Sequence, residues 1–175
     1  MPLLVSLTRK LVIYLALELD RSWTENNAGV FAYLPLQDVN EKEFPRQFDT
    51  NVLGLLLTSK RAVKQFSGKG GCIINIGSVA STLTPPASSI YASTKSAVDS
   101  ITRVLAKELG PRNVRVNSIN PGVIDTEGAR VMETYEQVAK AIKALTPLGR
   151  TGVPEDIGLG DRLLSPSHAD LHQLG

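Results

Sequence analysis

The stretch GGCIINIGS, residues 70–78, decides the fold that the sequence predicts. A glycine pair precedes a short apolar, β-branched run and Gly-Ser follows it, which is the pattern of a buried strand that ends in a loop. A second stretch, NVRVNSINPG (113–122), places apolar residues at Val114, Val116 and Ile119 and stops at Pro-Gly. It predicts another strand of the same sheet.

A helical pattern lies between these two strands, from about Ser88 to Leu109. Its apolar positions recur at helical spacing, and Gly110-Pro111 ends it. A strand, a helix and a strand in this order predict a βαβ unit, so the sheet should be parallel and the fold class α/β. An earlier helical segment runs from about residue 41 to 66 with a break near 49–54, and Pro45 should disturb it.

The composition is typical of a single soluble globular domain. The chain has 175 residues, of which 42% are hydrophobic and 21% charged, and its net charge of +2 is too weak to predict nucleic-acid binding. Cys72, the single cysteine, reads as a small buried hydrophobe, which fits a reducing cytoplasm. Arg9 and Lys10 interrupt the apolar first 20 residues, so we expect neither a signal peptide nor a membrane span. We predict no metal site.

Polar or small residues follow each predicted strand, at the edge of the sheet where a parallel α/β fold binds ligands. Ser78 follows one strand, Pro121-Gly122 follows the next, and NNAGV (26–30) has the form of a third strand end. The helix that carries Tyr91 and Lys95 begins near the same edge, because the chain must cross back after Ser78. We therefore expect a hydroxyl, a phenol and an ammonium in one cleft.

Tyr91 and Lys95 lie four residues apart and so on one helix face. A free tyrosine, with a pKa of about 10, is a poor base, but a nearby ammonium favours the phenolate and should lower that pKa. Ser78 would then hold a carbonyl or alcohol oxygen while Tyr91 donates or removes its proton. This chemistry interconverts an alcohol and a ketone if a nicotinamide cofactor carries the hydride.

These residues belong to a series of motifs that resembles the short-chain dehydrogenase/reductase family. The matching pieces are NNAGV, FDTNVLG, INIGSVAS, YASTK and VRVNSINPGVIDT, in that order, within about residues 26–157. The resemblance implies a Rossmann-like, doubly wound parallel sheet and an oxidoreductase that uses NAD or NADP on a small alcohol or carbonyl substrate. It also implies a homodimer or homotetramer formed by helices at about 50–66 and 91–109, through Leu55, Leu56, Val63, Val98, Ile101 and Leu105.

The resemblance also implies a role for each site residue. Tyr91 would be the general acid/base, Lys95 would tune it and hold the nicotinamide ribose, Ser78 would orient the substrate oxygen, and Asn51 would hold a relay water. The residues implied for cofactor binding are Asn27, Ala28, Gly29, Tyr91, Lys95, Pro121, Gly122, Val123 and Thr126. Residues from about 127 to 150 would form the substrate loop.

Each residue also has an ordinary structural interpretation, which is the better one if that residue is considered alone. Asn51 and Thr126 could cap helices, Asn26-Asn27 could form a turn, and Ser78 could be a loop hydroxyl. Tyr91 could be a half-buried aromatic residue and Lys95 a solvated charge. The ordered set of motifs, rather than any one member, favours the catalytic interpretation.

The chain departs from the family pattern at both ends. Its first glycine is Gly29, so the glycine-rich TGxxxGxG loop of the family is missing and we expect an N-terminally truncated fold. RSWTE (21–25) replaces the apolar strand that should lead into NNAG, and LGDRLLSPSHADLHQLG (159–175) replaces an apolar helix. We therefore divide the chain into an atypical segment at 1–25, a catalytic half at 26–158 and an atypical tail at 159–175. The alternative function is an inactive, truncated interaction module.

Overall fold

The computed structural model describes residues 23–66, 70–130 and 135–158. Its sheet has three parallel strands in the order β1 (Trp23–Asn26), β2 (Gly71–Ile76) and β3 (Val114–Ile119). In the register of the sheet, Trp23 pairs with Cys72 and Gly71 pairs with Val114. The predicted α/β class with a parallel sheet is therefore confirmed.

The helices that connect the strands follow the chain in a simple order. After β1 come a 3₁₀ turn at Leu36–Asp38, α1 (Glu43–Phe48), a π-helical turn at Asp49–Gly54 and α2 (Leu55–Gln65). Between β2 and β3 lie α3 (Ala80–Leu83), α4 (Ser89–Leu109) and a 3₁₀ turn at Gly110–Arg112. After β3 come α5 (Glu127–Arg130), α6 (Tyr135–Leu145) and a helical turn, α7, at 154–158.

The first strand corrects the prediction for RSWTE. Residues from Trp23 onward form β1, because their backbone groups pair with the buried central strand β2 and need no apolar side-chain pattern to do so. Asn26 ends the strand as a buried residue opposite Asn75. The rest of the predicted N-terminal segment, residues 1–22, and the predicted tail at 159–175 lie outside the described residues.

The long helical segment after β1 also differs from its prediction. Pro45 does not disturb it, because it lies in the first turn of α1, where backbone N–H groups have no partner within the helix. The predicted break near 49–54 is a π-helical turn through which α1 continues into α2. Such turns occur frequently at functional sites. Here the turn contains Asn51, its one buried residue.

The core forms where α2 and α4 pack on the sheet. Ile73 of β2 and Val114 and Val116 of β3 are its buried centre. The side chains packed around that centre come from the two long helices and the ends that follow them: Val63, Phe66, Leu105, Ala106 and Leu109.

Burial in this core corrects part of the predicted subunit interface. Leu55 is 6% exposed and Val98 1% exposed, so both belong to the core of the chain rather than to a surface. Cys72 is fully buried in β2, as the sequence predicts, and burial raises the pKa of its thiol. Within 23–66, 70–130 and 135–158, no helix is both long enough and apolar enough to cross a membrane.

Gly70 provides a test of how the strands begin. Its φ is +100°, and a Cβ at this position would lie 3.0 Å from the carbonyl carbon of Asn113 and closer still to the carbonyl oxygen. We expect Gly70→Ala to lower the free energy of unfolding by at least about 2 kcal/mol, from left-handed strain and steric overlap. Gly110→Ala is the matched control, because nothing lies within 4 Å of its added Cβ. Urea unfolding measures both, and equal midpoints for the two variants would contradict this close approach.

Candidate active site

A cleft of about 210 Å³ lies at the carboxyl ends of the three strands. The residues predicted from the sequence that line it come from all three strand ends and from α4: Asn27, Gly29, Ser78, Tyr91, Lys95, Pro121 and Gly122. The predicted convergence of these residues in one cleft is therefore confirmed. Their roles in catalysis and cofactor binding stay predictions.

Two backbone hydrogen bonds hold the loops after β2 and β3 together. Gly77 donates to the carbonyl of Ile119 at 2.8 Å, and Val79 donates to the carbonyl of Pro121 at 3.0 Å. Ser78 lies between these two donors, so its backbone is held at the edge of the cleft. Its hydroxyl accepts a hydrogen bond at 3.1 Å from the N–H of Ala80, the first residue of α3.

Asn51 ties the loop after β1 to α4. Its Oδ1 accepts the N–H of Val30 at 2.8 Å, and its Nδ2 donates to the carbonyl of Val30 at 2.8 Å and to Oγ1 of Thr94 at 3.0 Å. The side chain thus bridges two segments and does not cap a helix. A Cβ added to Gly29 would lie 3.5 Å from Oδ1 of Asn51 and 3.8 Å from Nζ of Lys95, so these two groups flank one point of the cleft.

Lys95 is 7% exposed, so it is not the solvated charge of the structural interpretation. Its Nζ donates to the carbonyl of Ile76 at 2.9 Å and lies 5.7 Å from the centroid of the Tyr91 ring. Burial lowers the pKa of Lys95 to about 8, although the carboxylate of Asp99 opposes that shift. The side chain is therefore mainly an ammonium at neutral pH, close to the point at which it loses its proton.

The pKa of Tyr91 is raised, not lowered. Burial of the phenol is the main cause, and it outweighs a hydrogen bond with Ser78 that acts in the opposite direction. The predicted net lowering of the Tyr91 pKa is therefore wrong for this cleft, because desolvation of the phenolate outweighs the contributions that favour it. Tyr91 is a protonated phenol at neutral pH.

In the part of the chain that the structure describes, three of the residues predicted to bind the cofactor do not line the cleft. Ala28 is exposed in the turn after β1. The carbonyl of Val123 accepts the N–H of Gly152 at 3.0 Å, and Oγ1 of Thr126 accepts the N–H of Ala129 at 3.1 Å. The capping interpretation of Thr126 is thus confirmed, while contact of these three residues with a cofactor stays a prediction.

The cleft also contains residues that sequence reasoning missed, namely Val30, Phe31, Ile76 and Gly77. Phe31 packs edge-on against Tyr91 with 6.1 Å between ring centroids, and Tyr33 lies at the same distance from Tyr91. A signal for both was present in the sequence. Aromatic residues make up only 5% of the chain, yet two of them closely follow the polar turn NNAG.

The cleft fits the ribose and nicotinamide end of a dinucleotide. Gly29 and Gly122 line it and leave room where a Cβ would lie, so a flat ligand can approach the backbone closely. Lys95 has three N–H donors and gives one to Ile76 within the described residues, which leaves donors for ribose hydroxyl groups. No cluster of metal-ligating side chains occurs in the part of the chain that the structure describes.

The buried ammonium generates a pH-dependent stability. The pKa of Lys95 is about 8 in the folded chain and about 10.4 in an unfolded one, so the unfolded chain binds more protons between these values. The free energy of unfolding should therefore rise from pH 8 to pH 10, by up to about 3 kcal/mol. Above about pH 10 the raised pKa of Tyr91 acts in the opposite direction.

Urea unfolding at several pH values measures this slope, and Lys95→Met is the control that should remove it. A Lys95→Met variant that keeps the full slope would show that another group is responsible.

Comparison with known proteins agrees with this geometry. The family model described as enoyl-(acyl carrier protein) reductase matches residues 23–161. An uncharacterized oxidoreductase of Methylorubrum extorquens is 44% identical over 133 residues, which cover 75% of this chain and 53% of that protein. Cyclopentanol dehydrogenase of a Comamonas strain is 34% identical with the same coverage. Carbonyl reductase [NADPH] 2 of Sus scrofa is 33% identical and covers 75% of this chain and 55% of that protein.

A solved structure shares the fold as well. The promiscuous reductase LugOII, which catalyses keto-reduction at C1 during lugdunomycin biosynthesis, matches with a TM-score of 0.75 and 28% identity, over 82% of this chain and 56% of that one. The chain spans about half the length of the curated relatives that it matches. With a family match that begins at the first residue of β1 and includes the whole cleft, the chain belongs to the short-chain dehydrogenase/reductase family.

Proposed function

We propose that the cleft interconverts an alcohol and a ketone or aldehyde by hydride transfer with NAD or NADP, with Tyr91 as the proton donor and acceptor. The observation that supports this most is the placement of three groups: Ser78 at the end of β2, and Tyr91 and Lys95 on α4, all facing one cleft. The cofactor, when bound, supplies or accepts the hydride.

Tyr91 and Ser78 act on the substrate oxygen. Tyr91 is protonated at neutral pH, and burial raises its pKa further, so its phenol can give a proton to a carbonyl oxygen as that oxygen gains negative charge. Ser78 is a second hydroxyl beside the phenol and orients the same oxygen. Alcohol oxidation needs the phenolate instead, so it should be favoured at higher pH than ketone reduction.

Lys95 and Asn51 act one step away from the substrate. The ammonium of Lys95 holds the ribose of the cofactor and stabilises the phenolate that Tyr91 leaves behind. Asn51, close to the same point beside Gly29, holds a water through which the proton returns from solvent. The remaining predicted cofactor contacts are Asn27, Ala28, Gly29, Pro121, Gly122, Val123 and Thr126.

The names of the relatives support an alcohol or carbonyl compound as the substrate. Their names include a cyclopentanol dehydrogenase and an NADPH-dependent carbonyl reductase. We propose that residues 127–150, which contain α5 and α6, act as the substrate loop. The cytoplasm is the proposed location, because the single cysteine of the chain is buried and no disulfide framework exists within it.

We also propose a homodimer or homotetramer formed by the outer faces of α2 and α4. Apolar side chains remain exposed on and beside these helices, with Leu57 45% and Val104 48% exposed. The side chains of Leu53 and Leu56 are exposed as well. Exposed apolar side chains of this kind favour association of subunits.

Sedimentation velocity tests the oligomer. We expect the chain to sediment as a dimer or tetramer, and Leu56→Lys/Leu57→Lys to shift it toward the monomer, because like charges then oppose each other across the two-fold axis. Leu36→Lys is the control, since Leu36 is 84% exposed on the 3₁₀ turn away from these helices. A well-folded wild-type monomer at high concentration would contradict the proposal.

Turnover of a generic ketone with NADH or NADPH tests the catalytic roles. We expect Tyr91→Phe to lower kcat by about 10²–10⁴-fold and to leave cofactor affinity nearly unchanged, because it removes a proton donor without changing shape. Ser78→Ala should cost about 10²-fold or more. Lys95→Ala should lower both kcat and cofactor affinity.

Fluorescence titration of the reduced dinucleotides separates binding from chemistry in each variant. Full turnover by Tyr91→Phe would contradict the proposed role of Tyr91. Failure of both dinucleotides to bind would contradict oxidoreductase activity of this chain and favour the interaction module.

A further inference from the structure

Two aromatic rings stand beside the phenol of Tyr91. The ring centroids of Phe31 and Tyr33 are 6.2 Å apart, and each lies 6.1 Å from the centroid of Tyr91, with the rings tilted or edge-on to one another. These are favourable distances for aromatic contacts. Phe31 also lines the cleft, so the aromatic group begins inside the site and extends out of it.

The loop that carries these rings is fixed by hydrogen bonds that do not involve the rings. Asn51 binds both backbone groups of Val30, and Nη2 of Arg46 donates to the carbonyl of Phe31 at 3.1 Å. The N–H of Leu34 donates to the carbonyl of Ala87 at 2.6 Å. The rings are therefore held in place before any ligand arrives, as a binding wall needs.

The rings are also exposed. Phe31 is 45% and Tyr33 42% exposed, although each uses one side against Tyr91. Ala87, which anchors the loop, has a φ of +64°, a left-handed conformation that is unfavourable for alanine. The loop therefore combines contact with a strained backbone position and exposed aromatic rings beside the hydroxyl of Tyr91. Both features are common at ligand-binding sites.

We propose that Phe31 and Tyr33 form a substrate wall that selects carbonyl compounds with an apolar ring over open-chain ones. The inference rests on the proposed function, because it places the substrate oxygen at Tyr91 and Ser78. When the carbonyl carbon belongs to an apolar ring, that ring then packs against the wall at aromatic contact distance. An open chain makes fewer such contacts and loses more rotational freedom on binding.

Cyclohexanone and hexan-2-one, which have the same number of carbon atoms, provide the test. Their dissociation constants are measured by ligand-observed NMR on the 175-residue chain, with and without saturating NADPH. We expect the chain to bind cyclohexanone more tightly. Phe31→Ala and Tyr33→Ala should each raise the dissociation constant of cyclohexanone about fivefold and that of hexan-2-one less than twofold. Tyr33→Phe keeps the aromatic ring and should therefore keep the preference for cyclohexanone.

Phe44→Ala is the matched control, because Phe44 is 50% exposed and stacks on Phe48 rather than on Tyr91. It should leave both dissociation constants unchanged. The proposed wall would be overturned if Phe31→Ala weakened the binding of both ketones equally, or if Phe44→Ala removed the preference for cyclohexanone. Failure to detect binding of either ketone would also overturn it.

Binding measured without NADPH, together with the turnover assay, separates the two proposals. If the chain binds cyclohexanone more tightly than hexan-2-one through Phe31 but does not turn over either ketone, the result would support the wall and count against the proposed reaction. Turnover with a ring preference that Phe31→Ala leaves intact would support the reaction and overturn the wall.

Discussion

A ladder of four buried polar side chains holds the strands and helices together just beneath the cleft. Nδ2 of Asn26 donates to Oγ of Ser59 at 3.0 Å and to Oδ1 of Asn75 at 2.8 Å, and Nδ2 of Asn75 donates to Oγ1 of Thr102 at 2.9 Å. The ladder thus runs from α2 through β1 and β2 to α4. Leaving one of these buried groups without a partner costs about 1–3 kcal/mol, so the ladder favours one register strongly.

The register set by the ladder determines what meets at the cleft. Asn26 and Asn75 are paired residues of β1 and β2, and the polar turn and Ser78 follow directly after these strands. On α4, Lys95 lies about two turns before Thr102, which brings its ammonium to the carbonyl of Ile76 at the end of β2. Position in the fold therefore places a buried amine, a partly buried phenol and a hydroxyl in one small volume.

Burial then divides the proton chemistry between the two titratable groups. Desolvation disfavours the charged form of each, so the pKa of Lys95 falls to about 8 while that of Tyr91 rises. The two pKa values, which are about 10.4 and 10 for free side chains, therefore move apart, and at neutral pH the pair consists of an ammonium and a neutral phenol. A neutral phenol beside an ammonium is well suited to protonating an oxygen that gains negative charge.

The sequence predicted the elements that follow a simple period or end at clear breakers. β2, β3 and α4 were predictable for that reason, and so was the meeting of Ser78, Tyr91 and Lys95 at the carboxyl edge. β1 was not, because its conformation comes from backbone pairing with β2 rather than from its own side chains.

The remaining differences depend on three-dimensional packing. The direction of the Tyr91 pKa shift depends on how deeply the phenol is buried, and the contacts of Phe31 and Tyr33 depend on how their loop is anchored. Local sequence patterns predict neither the burial of the phenol nor the position of the loop.

The central claim is that Lys95 is the buried ammonium that receives a nicotinamide cofactor beside Tyr91. The most direct measurement is the affinity of the chain for NADH or NADPH as a function of pH, followed by nucleotide fluorescence from pH 6 to 10. The account predicts that affinity falls as pH rises through about 8, where Lys95 loses its proton, and that Lys95→Met shows a weak, flat profile. An unchanged affinity across this range in the wild-type chain would contradict it.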